Sequence, residues 1–265
     1  MLSTCLRLLC VVAAISWSAN ARAAEKVDVP VRGKTLTLTI YSPRTQPRGT
    51  IVMGSGDVGW VGLAASMAEE LSAQGYTVVG INVRQYLAAF TAGSSHLQVT
   101  DVAGDYRFLI TTLKQTRRLE SPIIVSGVSE GAALAVLASA DPMNHAWISG
   151  VITMGLPPTA ELAWRWSDAA AWITKHDADE PSFAAKDVIA TVAPVPLYMI
   201  QSTRDEYVPP IEQERLLATA REPKKQILID ASNHRFTDKR PELSAAYRAG
   251  LAWIAQSGSE RKDHR

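Results

Sequence analysis

The stretch Ile123-Ile124-Val125-Ser126-Gly127-Val128-Ser129-Glu130-Gly131-Ala132-Ala133-Leu134 decides the fold. A short apolar run ends in Gly-x-Ser-x-Gly and passes directly into residues rich in Ala and Leu as far as Ala140. That order reads as a buried strand, a sharp turn and a helix, the setting in which a serine is raised above a parallel sheet as a nucleophile. The turn demands strained backbone at the serine. It also demands small residues two before and two after it, so that strand and helix approach closely. The start of the helix then offers the Glu130 N–H and a positive dipole end to a developing oxyanion. A glycine-lined turn around an ordinary serine has the same spacing, and the flanking strand and helix favour the nucleophile.

Outward from this stretch, short β-branched runs alternate with longer amphipathic ones. Residues 50–53, 76–81, 123–125, 148–154, 197–200 and 226–229 read as buried strands. Residues 36–40 alternate strictly and read as a half-buried strand, pairing with 27–29 across a turn at Gly33. Helical periodicity covers Leu63–Ala73, 102–113, 132–140, 211–220 and 242–255, the first of these closing at Gly75. Apolar strands separated by helices imply a mostly parallel central sheet with helices on both faces. With the nucleophile turn included, that is an α/β-hydrolase fold. Residues 155–194 break the rhythm and carry Trp164, Trp166 and Trp172, so they read as a short Trp-containing cap insertion. The single domain spans 24–256, and 257–265 is a polar, frayed tail.

A serine nucleophile needs a base. Of five histidines, His234 stands in the loop just after the last expected strand, where a parallel-sheet enzyme places its catalytic groups. His96, His145, His176 and His264 read as solvated loop, turn, insertion and tail residues. The orienting acid is expected after strand 197–200, in Thr203-Arg204-Asp205-Glu206, and Asp205 is assigned to it; Glu206 is the local rival and Asp230 the distant one. Ser129, Asp205 and His234 then fall in the chain order of an α/β-hydrolase.

The second oxyanion donor is expected in Gly54-Ser55-Gly56-Asp57-Val58-Gly59-Trp60, from the N–H of Ser55 or Gly56. Gly54, Gly56 and Gly59 also spell a dinucleotide fingerprint, but the acidic residue required about 20 positions on is missing, and Asn82 ends the next strand. Asp57, Trp60, Trp164 and Trp166 are candidate substrate contacts, set against a loop-closing hydrogen bond for Asp57 and ordinary packing for the tryptophans.

Composition narrows the partners. With 47% hydrophobic and 20% charged residues, the chain falls in the globular range, which excludes disordered, collagen-like and coiled-coil classes. A net charge of +1 gives no electrostatic case for nucleic acid. No His/Asp/Glu group shows ligand spacing, so neither metal nor organic cofactor is expected. Cys5 and Cys10 are the only cysteines. Both lie in a segment with Arg7, an apolar run over 8–17 and Ala21-Arg22-Ala23, the layout of a signal peptide over 1–23. The expectation is export to the periplasm of a mature chain without cysteine.

The layout of Ser129, Asp205 and His234 resembles the α/β-hydrolase superfamily over nearly the whole mature chain. A narrower resemblance is to the bacterial VirJ/AcvB family of periplasmic virulence proteins. It is carried by Gly54-Ser55-Gly56-Asp57-Val58-Gly59-Trp60, Gln74-Gly75-Tyr76, Val78-Val79-Gly80-Ile81-Asn82 and Arg84-Gln85-Tyr86-Leu87, together with Leu162-Ala163-Trp164-Arg165-Trp166-Ser167-Asp168 and Trp172. The resemblance implies hydrolysis of aminoacyl esters of phosphatidylglycerol, lysyl-phosphatidylglycerol above all, and an association with virulence secretion. A lipid ester substrate would bring peripheral contact with the outer face of the inner membrane, and Glu130 and Asp57 are then the carboxylates best placed for a cationic acyl group. Two alternatives stand beside an exported esterase: a peptidase or thioesterase on the same residues, and a non-catalytic secretion-accessory or binding protein on a hydrolase scaffold.

Overall fold

In the computed structural model, residues 23–116, 118–165 and 180–263 are described. The signal segment therefore falls outside the described residues almost entirely, as do Trp166, Trp172, His176 and His264.

Strict alternation builds the first hairpin. Strands β1 (Glu25–Val31) and β2 (Lys34–Tyr41) pair antiparallel, with Val27 opposite Leu38 and Val29 opposite Leu36. Arg32 and Gly33 both take positive φ at the two-residue turn, as the twist of a tight hairpin requires. Strand β2 then lies antiparallel to β4 (Thr77–Ile81). Beyond it, β3 (Thr50–Gly54), β5 (Ile123–Val128), β6 (Gly150–Met154), β9 (Leu197–Ser202) and β10 (Lys224–Ile229) pair in parallel, giving the order β1-β2-β4-β3-β5-β6-β9-β10. A separate two-stranded ribbon joins β7 (Thr159–Glu161) to β8 (Ser182–Ala184).

Strands β3, β4, β5, β6 and β9 are buried at every position, so both faces of the sheet need cover. On one face α1 (Leu63–Ala73) and the last helix (Arg240–Asp263) enclose Met53, Tyr198 and Ile200 with Leu71 and Tyr247. On the other, α2 (Val83–Phe90), α3 (Val99–Gln115) and α4 (Glu130–Ala140) bury Tyr86, Leu109 and Leu134 over Val52, Val79 and Val125. The short helix α5 (Ala185–Val188) and α6 (Pro210–Thr219) complete that layer. The helix from Arg240 is α7.

Three features depart from the sequence reading. Helix α2 was not read; its start is capped by the Asn82 side chain, which accepts the Gln85 N–H at 3.2 Å. Helix α7 continues to Asp263 rather than ending near 255 with a frayed tail, since apolar periodicity stops there but helical backbone does not. The 155–194 stretch is not all cap: Ala185, Ile189 and Val192 are buried in the core beside α4.

Asp105 on α3 ties the hairpin turn to the helices. Its carboxylate accepts Arg32 Nε and Nη2, both at 2.8 Å, and the Tyr86 hydroxyl at 2.7 Å.

Candidate active site

Ser129 lies between the end of β5 and the start of α4 at φ 53°, ψ −122°, a conformation that L residues rarely hold and that marks strain at functional turns. Its own N–H donates to Met154 O at 2.9 Å, pinning the turn to β6. The neighbouring glycines are sterically required. A Cβ on Gly127 would lie 2.1 Å from the Gly131 carbonyl carbon, and one on Gly131 would lie 2.4 Å from Gly54 O. Strand β5, helix α4 and strand β3 therefore meet backbone to backbone beneath the serine, as the sequence reading required.

His234 and Asp205 come together from the ends of β10 and β9. The Nδ1 of His234 is 2.6 Å from Asp205 Oδ2, and both side chains are almost wholly buried. The other carboxylate oxygen of Asp205 accepts the N–H groups of Tyr207 and Val208, each at 2.9 Å, which fixes its plane. Beneath this turn, the buried amide of Gln213 on α6 donates to Ser202 O and Val208 O, bracketing the acid's loop from both ends. Burial alone would push the His234 pKa down. The hydrogen bond and charge of Asp205, with Glu130 and Glu206 beyond, outweigh it and raise the pKa above 6.5. Nε2 is buried and has no hydrogen-bond partner among the described residues, Ser129 Oγ included. A buried ring nitrogen left without a partner needs a reason, and an awaited proton transfer is one.

Gly155, which no motif marked, makes the space for this ring. It sits at φ 63° directly after β6, and a Cβ there would stand 2.6 Å from His234 Cε1. Of the rival acids, Asp230 is exposed and bonds Thr203 Oγ1 and Arg204, away from the ring. Glu206 does reach the histidine, though not its ring: Oε2 accepts the His234 main-chain N–H at 2.7 Å.

The two oxyanion candidates separate. The Ser55 N–H is committed to Ile81 O at 3.0 Å, and its hydroxyl is tied to Gly56 O and the Val83 N–H, so Ser55 is a joint between β3 and α2. A Cβ on Gly56 would lie 3.6 Å from Ser129 Cβ, so the Gly56 main chain runs beside the nucleophile, in a short antiparallel bridge with Gly59. Asp57 and Glu130 meet next to it: the Asp57 N–H donates to Glu130 Oε2 at 3.2 Å. Burial, then the Glu130 charge, push the Asp57 carboxyl up to about 6.

Trp60 and Trp164, read as substrate contacts, both pack partly against the protein. Trp60 lays its indole on Gly80, where a Cβ would stand 2.2 Å from the ring, and donates Nε1–H to Tyr41 OH at 3.1 Å; it anchors the loop to the sheet. Trp164 packs on the core, with the Arg84 guanidinium 4.5 Å from its ring centre and its N–H on Thr91 Oγ1. Trp166 lies outside the described residues. An aromatic that sequence reasoning missed, Tyr207, is 64% exposed with its ring centre 5.3 Å from that of His234, edge on. Among the described residues no group of three His, Cys, Asp or Glu could hold a metal ion, and no helix is long and apolar enough to cross a membrane.

A family model described as bacterial virulence protein (VirJ) matches residues 49–230, which include Ser129 and Asp205 and stop just short of His234. YfhR of Escherichia coli strain K12 is 33% identical over 66 residues, 24% of this chain and 23% of that protein, so the chain spans about a quarter of the curated relative's length. Solved structures resemble it over most of its length. The esterase domain of a Rhodothermus marinus protein superposes with a TM-score of 0.58 at 19% identity, covering 89% of this chain and 98% of that one. Est1E from Butyrivibrio proteoclasticus gives a TM-score of 0.62 at 14% identity, covering 87% and 99%. An alpha-beta serine hydrolase homologue from Coxiella burnetii gives 0.58 at 15% identity, covering 83% and 94%. The fold is that of the α/β-hydrolases.

Proposed function

The chain belongs to the bacterial virulence protein (VirJ) family, and we propose that it is a serine hydrolase cleaving an ester with Ser129, His234 and Asp205. One observation carries this reading. Strained Ser129 stands at the end of β5, while a buried His234–Asp205 pair at the neighbouring strand ends leaves Nε2 without a partner. In the reaction, Ser129 Oγ attacks the ester carbonyl as Nε2 takes its proton. Nε2 returns that proton to the leaving alcohol, and a water activated in the same way releases the acyl group. Asp205 keeps Nδ1–H oriented and stabilises the imidazolium. The N–H groups of Glu130 and Gly56 stabilise the tetrahedral oxyanion, Ser55 being committed to the sheet. No metal or organic cofactor enters these steps.

The finer reading is an aminoacyl ester of phosphatidylglycerol, such as lysyl-phosphatidylglycerol, cleaved in the periplasm after removal of residues 1–23. Its support is the carboxylate pair beside the nucleophile. Asp57 and Glu130 share a site where burial already disfavours two negative charges, and a cationic acyl group would relieve that cost. The exposed Val58, Val61 and Tyr207 around the site would meet the outer face of the inner membrane peripherally. Purified mature protein, given lysyl-phosphatidylglycerol, phosphatidylglycerol and a short p-nitrophenyl ester, tests this. Lysine release that collapses in Glu130→Gln while small-ester cleavage persists supports substrate and contact together. Brisk small-ester cleavage without lysine release leaves an esterase for another substrate.

A further inference from the structure

Asp205, Glu206 and Tyr207 are consecutive, and each touches His234 in a different way. Asp205 Oδ2 holds ring Nδ1 at 2.6 Å, Glu206 Oε2 accepts the main-chain N–H at 2.7 Å, and the Tyr207 ring meets the imidazole edge on. The Glu206 bond joins residues 28 positions apart, between the loops after β9 and β10, yet Glu206 itself is exposed. An exposed glutamate loses side-chain freedom to make such a bond, and the bond it makes is part-buried, on the main chain of a buried histidine. Its position on the histidine gives it another use.

We propose that Glu206 is a positioning residue for His234, holding the main chain of the histidine while its charge favours the protonated ring. The inference rests on the reading of His234 as the catalytic base. Four carboxylates act on this histidine from three places: Asp205 and Glu206 after β9, Glu130 at the start of α4, and Asp57 after β3, the last of these opposed by Arg235 on the histidine's own loop. Glu206 differs from the rest in acting on both the backbone and the field. A base that is protonated during the reaction gains from the charge, because imidazolium forms as Ser129 attacks. The same charge exacts a cost on the acid side, since a ring held protonated accepts no proton. Activity therefore falls as pH drops through the raised His234 pKa.

Two substitutions divide these functions. Glu206→Gln keeps a carbonyl acceptor for the His234 N–H and removes the charge. The His234 titration should move to lower pH, the acid limb of kcat/KM should follow it, and the high-pH plateau should fall with the lost imidazolium stabilisation, but by less than in Glu206→Ala. Glu206→Ala also releases the backbone, so plateau kcat should fall about fivefold, the equivalent of one hydrogen bond, with KM unchanged.

The experiment is an NMR titration of histidine labelled at Cε1, with the His234 signal assigned by its loss in His234→Gln. It reads the ring whether or not an ester is turned over. A downward shift in both Glu206 variants establishes the proposal, and an unmoved titration in Glu206→Gln overturns it. Hydrolysis of p-nitrophenyl acetate by the same proteins and by Ser129→Ala is the separate arm. Absence of turnover, or turnover that survives Ser129→Ala, would remove the hydrolase reading and leave the Glu206 result standing on its own.

Discussion

Asp105 and Asp57 are both carboxylates drawn out of solvent, and they are treated in opposite ways. Asp105 is closed: two guanidinium N–H groups of Arg32 and the Tyr86 hydroxyl occupy its oxygens, and Asp101 adds a second contact to the same arginine. Asp57 is more open: its Oδ1 accepts the N–H of the next residue, Val58, and burial and the Glu130 charge outweigh that bond and the more distant Arg235, pushing its pKa up to about 6. Satisfied, neutralised clusters hold the sheet and helices together, whereas the cluster beside Ser129 leaves charge and one ring nitrogen unanswered. Folding stability gains nothing from such an arrangement, and stored electrostatic cost of this kind collects where a ligand is to answer it.

The comparison breaks if the two clusters respond alike to substitution. The largest effect is expected at the nucleophile. Ser129→Ala should lower kcat on a p-nitrophenyl ester by about 10⁶-fold, and the Ser129→Ala/His234→Ala double variant should be no worse, because these residues act as a unit. Steady-state kinetics at matched thermal stability checks this. Asp205→Asn should cost about 10⁴-fold in kcat by leaving the ring in the wrong tautomer, with little change in Tm.

The closed cluster should show the reverse. Asp105→Ala leaves the buried Tyr86 hydroxyl without its acceptor and should destabilise the fold by about 1–3 kcal/mol in urea unfolding, while kcat per folded molecule is kept. A loss of kcat without a loss of stability would erase the distinction between the two sites.

The smallest effect sharpens the comparison most. Folding raises the Asp57 pKa from 3.8 to about 6, so the native state binds this proton more tightly than the unfolded chain does. The resulting stabilisation is present at low pH and is lost as pH rises from about 4 through about 6. Asp57→Asn should therefore raise stability by on the order of 2 kcal/mol at pH 8 and by little at pH 4. Thermal melts at the two pH values would show it, and an equal gain at both would place the cause elsewhere.

The elbow was legible in the sequence because its constraints are local. A Cβ on either glycine around Ser129 would meet backbone at 2.1 or 2.4 Å, so no other residue fits there. Asp205 and His234 were legible because a parallel sheet delivers its strand ends to one edge. Choosing Gly56 over Ser55 was not, since it depends on which N–H the ladder to Ile81 consumes. The packing of Trp60 was not legible, because an indole suits a cleft and a core equally and the space for its ring is the bare backbone of Gly80 on another strand. Gly155 and Glu206 act on His234 from 79 and 28 positions away along the chain, a contact made by the fold and written in no motif. Helix α2 was missed because eight residues carry too few turns to show a period.

Labelling with a fluorophosphonate probe followed by peptide mass spectrometry tests the central claim most directly, because it needs no substrate. The account predicts one phosphonylated residue, Ser129, with labelling lost in Ser129→Ala and strongly slowed in His234→Ala. Absence of labelling at Ser129 in folded protein, or modification that His234→Ala leaves unchanged, would contradict it.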